Sequence, residues 1–301
     1  MSAPPPPPAS AAPAVEDPAP VAPAVRNLLF VAAALVFLAG VQLFMFPLRT
    51  DEYFAWTIAS PMTAVFLGAA YWSAVGLEVA AARAEGWAGA RIALPTVFVF
   101  TALTFVVTLV HIDLFHLDGD LAFNTRLVTW LWLAVYGGVP VLMVVAHSRQ
   151  RRVGLATPPP SGLPVVVRAV LTVLAVILLG FGFSLLVAPN WADGAWPWAL
   201  TPLTSRAIGA WLVGLGVAAA DARALDHAPS LRPLGATGVL FGVLQGVALL
   251  RYGDELAWDE APAYCYVAFL IVLTAVSLWS LLVTGGLWAR RSPLPDVRQR
   301  A

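Results

Sequence analysis

The sequence predicts an all-α integral membrane protein, a helical bundle of about eight transmembrane helices arranged as two tandem, parallel four-helix repeats. Three observations predict it. Hydrophobic residues make up 60% of the chain and charged residues only 11%, with a mean hydropathy of +0.81, whereas about a quarter of the residues of a soluble domain are charged. Long apolar stretches alternate with short polar ones, and each stretch is close to the roughly 20 residues that a membrane-spanning helix needs. The second half of the chain also repeats the first.

The apolar stretches divide the chain into units. The predicted spans are 27–46, 62–82, 92–111, 127–147, 166–187, 204–221, 234–251 and 263–287, of which the sixth and seventh are the shortest. Residues 1–25 are rich in proline and alanine and are expected to form a disordered cytoplasmic tail, because such segments bury too little apolar surface to order themselves. The remaining units are a first membrane unit at 26–147, an Arg- and Pro-rich linker at 148–164, a second membrane unit at 165–289 and a basic tail at 290–301.

The distribution of arginine predicts the orientation. All 17 basic residues are arginine, and 13 of them fall in the segments on the same side of the membrane as the N-terminus. Cytoplasmic loops carry the excess of basic residues, so both termini are expected in the cytoplasm, and the protein in the plasma or inner membrane. The formal net charge is zero, which offers no field for nucleic acid. No cofactor is expected, and the single cysteine, Cys265, is expected to be a small buried hydrophobe.

The internal repeat keeps one register over most of the chain. Residues 25–56 align without a gap with residues 167–198, and after a slip of one residue the alignment continues. The matched pairs include Arg26 with Arg168, Gly40 with Gly182, Pro47 with Pro189, Asp51 with Asp193, Trp56 with Trp198, Pro61 with Pro202, Thr96 with Thr237 and Phe100 with Phe241. A unit of four helices is even, so both copies insert in the same direction and a pseudo-twofold axis along the membrane normal is expected.

The repeat also carries a resemblance. Its register is formed by Arg168, Pro189, Asp193, Trp198, Pro202, Thr204, Gly209 and Ala210. This register is similar to that of multi-pass membrane proteins of actinobacterial type, over most of the chain after the N-terminal tail. The resemblance implies a bacterial inner membrane, and it brings neither an activity nor a catalytic residue.

Two aligned outer loops carry an Asp followed by a Trp. Asp51 and Trp56 belong to the first, and Asp193 and Trp198 to the second. Tryptophan is typical of the membrane–water interface, so we interpret these loops as a helix stop, an interface anchor and a helix start. The alternative is a pair of caps over a ligand held between the halves. Arg206 is expected to pair with Asp193.

The outer segment after the third span is rich in potential metal ligands. These are His111, Asp113, His116, Asp118 and Asp120. Imidazole suits zinc and carboxylates suit calcium, so a divalent-cation site is one hypothesis. Their spacing matches no zinc or EF-hand template, and the second copy keeps only Asp254. An acidic outer loop is the simpler interpretation.

A few polar residues lie inside the predicted spans. Gln42 aligns with Ser184, and Thr104 aligns with Gln245. These four either line a shared cavity or hydrogen-bond between helices. Glu78 is the only acid well inside a span, and we expect it to extend to the membrane surface beside Arg83, with a buried proton relay as the alternative.

Three functional hypotheses follow. The first is a protein that binds or transports a small or lipophilic molecule between its two repeats. The second is a structural or accessory protein, whose tail and linker contact protein partners or a second copy. The third is a membrane enzyme that uses the outer His/Asp segment. The sequence contains none of the common nucleotide-binding or hydrolase motifs, so an enzyme is not favoured.

Overall fold

The computed structural model describes residues 18–160 and 162–291, without the side chains of 192, 193 and 284–291. The described part of the chain is mostly helical. Within those ranges eight helices are long and apolar enough to cross a membrane, which confirms the all-α fold and the eight spans. They are α1 (Pro23–Gly40), α2 (Pro61–Arg83), α3 (Ala93–Val110), α4 (Phe123–Val153), α5 (Val165–Val187), α6 (Pro202–Leu225), α7 (Ala228–Tyr252) and α8 (Ala261–Arg291). The described residues include no β-strand.

Several helices continue past the apolar stretch that predicted them. The helices α6 and α7 contain 24 and 25 residues, so the prediction that they are the shortest spans is wrong. The helix α4 extends to Val153 through Arg149, Arg151 and Arg152, so the connection to α5 begins at residue 154 and not at 148. Arginine is a good helix former, so a helix can continue through it. A prediction from hydropathy alone places the end of a helix where its apolar part ends.

The two prolines at Pro61 and Pro202 begin α2 and α6, as predicted. Proline is favoured in the first turn of a helix because its missing N–H has no partner there. Each helix is capped by the residue before its proline: the hydroxyl of Ser60 accepts from the backbone N–H of Thr63, at 3.1 Å, and Thr201 and Thr204 form a capping box. These caps fix where both helices start.

The helices pack in a reciprocal pattern. Within the halves, α1 packs on α2, α3 on α4, α5 on α6 and α7 on α8. Between the halves, α2 packs on α7 and α3 packs on α6. The second helix of each half therefore contacts the third helix of the other, as a twofold arrangement requires. The duplication itself stays a prediction.

Glycines allow the closest helix contacts within each half. A Cβ added to Gly68 on α2 would lie 2.6 Å from the backbone nitrogen of Phe44, and one added to Gly209 on α6 would lie 2.7 Å from the carbonyl oxygen of Gly182. Both distances are too short for a side chain. Small residues at these positions let membrane helices approach, which is how such helices associate in lipid.

Residues 18–22 form a segment that packs on the protein, although the sequence predicted a tail up to residue 25. Ala19, Val21 and Ala22 are buried, and Gln150 of α4 holds the segment. Its amide nitrogen donates to the carbonyl of Pro20 at 3.0 Å, and its amide oxygen accepts from the backbone N–H of Ala22 at 2.7 Å. The amino-acid composition of residues 18–22 does not predict this packing, because the hydrogen bonds that hold the segment are made to its backbone groups. Residues 1–17 lie outside the described residues.

The connections gather at two opposite ends of the bundle. One end, here called the arginine-rich end, holds residues 18–22, 84–86, 154–160, 162–164 and 226–227, joined for example by the bond from Ala19 N–H to the Ala156 carbonyl. The other, here called the acidic end, holds residues 46–60, 111–122, 188–201 and 253–260, joined for example by the bond from Ala257 N–H to the Pro197 carbonyl. Which end faces the cytoplasm stays a prediction.

Candidate functional site

A groove lies between α5 and α8 in the second half. It consists of two hollows of about 130 Å³ and 280 Å³. The smaller lies toward the arginine-rich end and the larger toward the acidic end. The two hollows share the lining residues Ala70, Leu178, Trp211, Leu215 and Phe241. We therefore treat them as one site, the α5–α8 groove.

The groove is bounded by six helices from both halves. Its walls are α5 and α8, and its floor consists of α2, α3, α6 and α7. Within the described residues, α5 and α8 share no extended packing. The groove extends along α8 from Pro262 to Ser280, a length of ~27 Å at the helical rise of about 1.5 Å per residue. This length is close to the roughly 30 Å thickness of a bilayer's hydrocarbon core.

The first half contains a hollow at the aligned position. It measures about 150 Å³ and lies between α1 and α4; we call it the α1–α4 hollow. Val36 of α1 lines it where the aligned Leu178 of α5 lines the groove. Bulky polar aromatic side chains narrow this hollow: the hydroxyls of Tyr71 and Tyr136 are 2.5 Å apart, and Trp132 packs on Tyr136 with 4.1 Å between ring centroids. The residue aligned with Tyr71 in the second half is Leu212, which cannot form such a bond.

Glu78 places a carboxyl group at the floor of the groove. The residue is only 3% exposed, and it lines both the smaller hollow of the groove and the α1–α4 hollow. Among the described residues its Oε2 has no hydrogen-bond partner, and neither has Oγ1 of Thr237 in the same hollow. The prediction that Glu78 extends to the surface beside Arg83 is wrong. The cause is the position of α2 among α1, α7 and the groove, which the sequence of α2 alone does not reveal.

The four aligned polar residues do not meet in a common cavity. Gln42 lines the α1–α4 hollow. Ser184 donates to the carbonyl of Gly180 within its own helix, at 2.9 Å. Thr104 is buried, and its Oγ1 has no partner in the described part of the chain.

Gln245 is fully buried in a packed seam. Its amide nitrogen donates to the Phe66 carbonyl at 3.1 Å, and its amide oxygen accepts from the Tyr266 hydroxyl at 2.9 Å. Gln245 therefore joins α7 to both α2 and α8.

The aligned tryptophans of the outer loops are core residues and do not lie at an exposed membrane interface. Trp56 and Trp198 are each 3% exposed. Trp56 packs edge-on against Trp132, with centroids 5.1 Å apart, and Trp198 donates from Nε1 to the hydroxyl of Thr63 at 2.8 Å. The interface-anchor interpretation of these two residues is wrong, because the loops fold inward onto the helix ends. In the second of these loops the exposed tryptophan is Trp191, with 65% of its surface accessible.

The charged residues of these loops have different surroundings. Asp51 is exposed, and the side chain of Asp193 lies outside the described residues, so its expected pairing with Arg206 has no structural account. The Arg206 guanidinium donates to the carbonyl of Leu186 at 3.0 Å and to Nε2 of His111 at 2.8 Å. Arg206 therefore connects the second half to the end of α3.

The candidate metal ligands are not gathered around a common point. The Nε2 of His111 accepts from Arg206, so this imidazole nitrogen faces a cation. His116 donates from Nδ1 to the carbonyl of Phe54 at 3.0 Å, which leaves Nε2 to accept from the hydroxyl of Thr57 at 2.9 Å. Asp113, Asp118 and Asp120 are exposed. Across residues 18–160 and 162–291, no three His, Cys, Asp or Glu side chains are placed to hold a metal ion.

Two histidines outside the spans have altered acidity. Burial and the adjacent Arg206 charge lower the pKa of His111, against a smaller raising effect of Asp113. Burial likewise lowers the pKa of His227. Both shifts favour the neutral imidazole, which for His111 is the form that accepts the hydrogen bond from Arg206.

Cys265 lines the larger hollow from α8 and is exposed. The expectation of a buried cysteine is wrong, because the apolar run around it is a lipid-facing helix wall. The sequence did not indicate the groove itself, since its walls are ordinary apolar helix faces.

Hydrogen bonds and an ion pair join the two halves at both ends. At the acidic end, the carboxylate of Glu255 accepts from the hydroxyl of Ser60 at 2.5 Å and from the backbone N–H of Met62 at 3.1 Å. At the arginine-rich end, Arg91 pairs with Asp221 at 3.1 Å. Together with the Gln245 seam, these contacts hold the halves in one arrangement.

No protein-family model, curated protein or solved structure matches this chain. The functional conclusion therefore depends on the groove and its lining.

Proposed function

We propose that this protein binds a lipophilic molecule taken from the bilayer, in the α5–α8 groove, and that it resides in a bacterial plasma membrane with both termini cytoplasmic. The observation that carries the proposal is the groove itself, which follows α8 over a length close to the thickness of the hydrocarbon core. Ligand sites are typically concave and mostly apolar, with a few placed polar groups. The groove has this composition, with Glu78 and Thr237 among its few polar groups.

The comparison between the two halves supports a site in the second half. Aligned helices enclose both the groove and the α1–α4 hollow, but the hydrogen-bonded pair of Tyr71 and Tyr136 narrows the hollow. A gap of this kind is therefore not a necessary result of the helix arrangement.

The contacts between the halves favour binding over transport. Alternating access by rocking of one half on the other requires that the halves separate at one end at a time. Here the hydrogen bond between Ser60 and Glu255 joins the halves at the acidic end, and the ion pair between Arg91 and Asp221 joins them at the arginine-rich end. Movement of a ligand through the protein would break these contacts in turn.

Native mass spectrometry in mild detergent tests the proposal. Leu178 lies on the groove wall and the aligned Val36 lies on the α1–α4 hollow, and both are half-buried. We expect wild type to retain a lipophilic mass, Leu178→Trp to lose it because the indole fills the groove, and Val36→Trp to keep it. Retention by Leu178→Trp, or loss in both variants, would overturn the proposal.

The second candidate is a structural or accessory role through protein partners or a second copy. The seam at Gln245 favours it, because this buried polar residue joins α7 to α2 and α8 and lines none of the hollows described above. If wild type shows the bare chain mass, alone or as an oligomer, the accessory role replaces ligand binding.

A further inference from the structure

We propose that the molecule bound in the α5–α8 groove is a lipophilic amine, with its ammonium group at Glu78 and its apolar chain directed toward the acidic end. This inference rests on the proposed function and specifies its ligand class. It starts from two polar atoms in one mostly apolar hollow, Glu78 Oε2 and Thr237 Oγ1, which find no partner among the described residues. Buried polar groups of native proteins are nearly always hydrogen-bonded, so such exceptions need a partner.

The charge of the lining identifies the partner as a cation. Within the described residues, Glu78 is the only charged residue that lines either hollow of the groove, and no arginine or histidine lines them. An anionic head group would lie beside a carboxyl with nothing to neutralise it. An ammonium supplies the missing opposite charge, and the low dielectric of the surroundings strengthens this ion pair. A buried charge is tolerated when it is paired and hydrogen-bonded.

The position of Thr237 adds a second contact. Its hydroxyl lines the same small hollow from α7, in the half opposite to Glu78 on α2. An ammonium group has several N–H donors, so a primary amine bound at Glu78 has donors left for a second acceptor in the same hollow. The two halves would then share the head group.

The remainder of the groove fits an extended apolar chain. Glu78 lies five residues before the end of α2 at Arg83, which is ~7.5 Å along the helix. The larger hollow lies in the opposite direction, and its lining includes the aromatic side chains Phe181, Trp196, Tyr266 and Phe269. A chain anchored at Glu78 therefore passes Ala70 and Leu178, which belong to both hollows, and ends among these rings.

Binding of three probes of equal chain length to the protein in zwitterionic lipid nanodiscs tests the inference. The probes are dodecylamine, 1-dodecanol and dodecanoic acid, and the readout is native mass spectrometry with titration. We expect wild type to bind dodecylamine about tenfold or more tightly than 1-dodecanol, and dodecanoic acid most weakly. Glu78→Gln is expected to reduce dodecylamine binding to the level of 1-dodecanol, and Thr237→Val to weaken it several-fold.

Matched controls separate the site from general effects. Glu85→Gln removes the same charge from an exposed residue close to Glu78, and it is expected to leave the preference for the amine unchanged. Thr104→Val removes another buried hydroxyl without a partner among the described residues, and this hydroxyl does not line the groove. It is also expected to have no effect.

The outcomes distinguish the two proposals. If 1-dodecanol binds as tightly as the amine, and Leu178→Trp blocks both, the groove binds lipophilic molecules but the amine inference is wrong. The same conclusion follows if Glu78→Gln leaves amine binding intact. If no probe binds, or if Leu178→Trp has no effect on binding, the proposed function fails as well.

Discussion

Arg206 and His111 form a hydrogen bond between the two halves, with 2.8 Å between the guanidinium nitrogen and Nε2 of the imidazole. The guanidinium can only donate, so the imidazole must be neutral to accept. Protonation of His111 would place two cations in contact. The contact is therefore sensitive to acid.

The first prediction is a loss of stability at low pH. The folded-state pKa of His111 lies below its ordinary value of 6.5, so its contribution is fully present above about pH 6.5 and is lost as the pH falls through the lower folded-state pKa. We expect the thermal unfolding midpoint in detergent to fall between about pH 7.5 and pH 5. His111→Asn should reduce the dependence of this midpoint on pH, while His227 maintains part of that dependence. An unchanged slope in His111→Asn would contradict the assignment.

The second prediction concerns Glu255, which accepts from Ser60 and from the backbone of Met62 at the start of α2. A carboxylate at a helix N-terminus satisfies free N–H groups and complements the helix dipole. Glu255→Ala is expected to lower the free energy of unfolding by about 1–2 kcal/mol. The exposed Glu260→Ala in the same loop is the control, with an expected change below about 0.5 kcal/mol. Equal effects of the two substitutions would show that the cap is unimportant.

The third prediction concerns the close glycine contacts. Gly68→Ala and Gly209→Ala are each expected to destabilise the protein by about 1–3 kcal/mol, because the added methyl group overlaps backbone atoms of the neighbouring helix. Gly246→Ala on α7 is the control, since its Cβ would meet no described atom within 4 Å. Chemical unfolding in mixed detergent micelles measures all three. A tolerant Gly209→Ala would mean that α5 and α6 separate easily.

The fourth prediction compares Gln42 and Gln245. The sequence analysis gave both glutamines the same two interpretations, as cavity-lining residues or as residues that hydrogen-bond between helices. Gln245→Leu leaves the Phe66 carbonyl and the Tyr266 hydroxyl without their partner, so we expect a loss of about 1–3 kcal/mol in the free energy of unfolding. Gln42→Leu replaces a half-buried side chain on the α1–α4 hollow, and it should cost less than half as much. Chemical unfolding of both variants measures the difference. The reverse order would place the important seam in the first half.

The fifth prediction concerns the segment 18–22. Gln150→Ala removes the side chain that bonds Pro20 and Ala22, so the amides of Ala19 and Val21 should exchange hydrogen faster while the helices stay protected. Hydrogen–deuterium exchange with mass spectrometry measures this. The control is Arg149→Ala, which truncates the exposed neighbouring side chain on the same helix and should leave the exchange of the segment unchanged. Unchanged exchange in Gln150→Ala would show that the backbone bonds alone hold the segment.

The sequence predicted the eight spans because their signal is local. Hydropathy over about 20 residues identifies a span without knowledge of its neighbours, and the prolines Pro61 and Pro202 marked two helix starts. The same local signal failed at the ends of α4, α6 and α7, where polar residues continue the helix. It also failed at residues 18–22, where backbone bonds hold a segment of low hydropathy.

The candidate site depended on contacts between distant residues, and here prediction from sequence was weaker. Glu78 was expected near the membrane surface and Trp56 at an interface, but both are buried. Cys265 was expected to be buried but is exposed. In each case the direction that the side chain faces depends on which helices lie beside it. That information is not contained in a single helix.

The reciprocal packing of α2 on α7 and of α3 on α6 has a consequence for synthesis in the cell. The first four helices leave the ribosome before α6 and α7 are synthesised. During that time the faces of α2 and α3 that later contact α7 and α6 have no partner from the second half. The nascent first half is thus an incomplete assembly, held together by α1 with α2 and by α3 with α4. The packing between the halves is completed only by the seventh helix, and a chain that stops earlier displays unpaired helix surfaces to the quality-control proteases of the membrane.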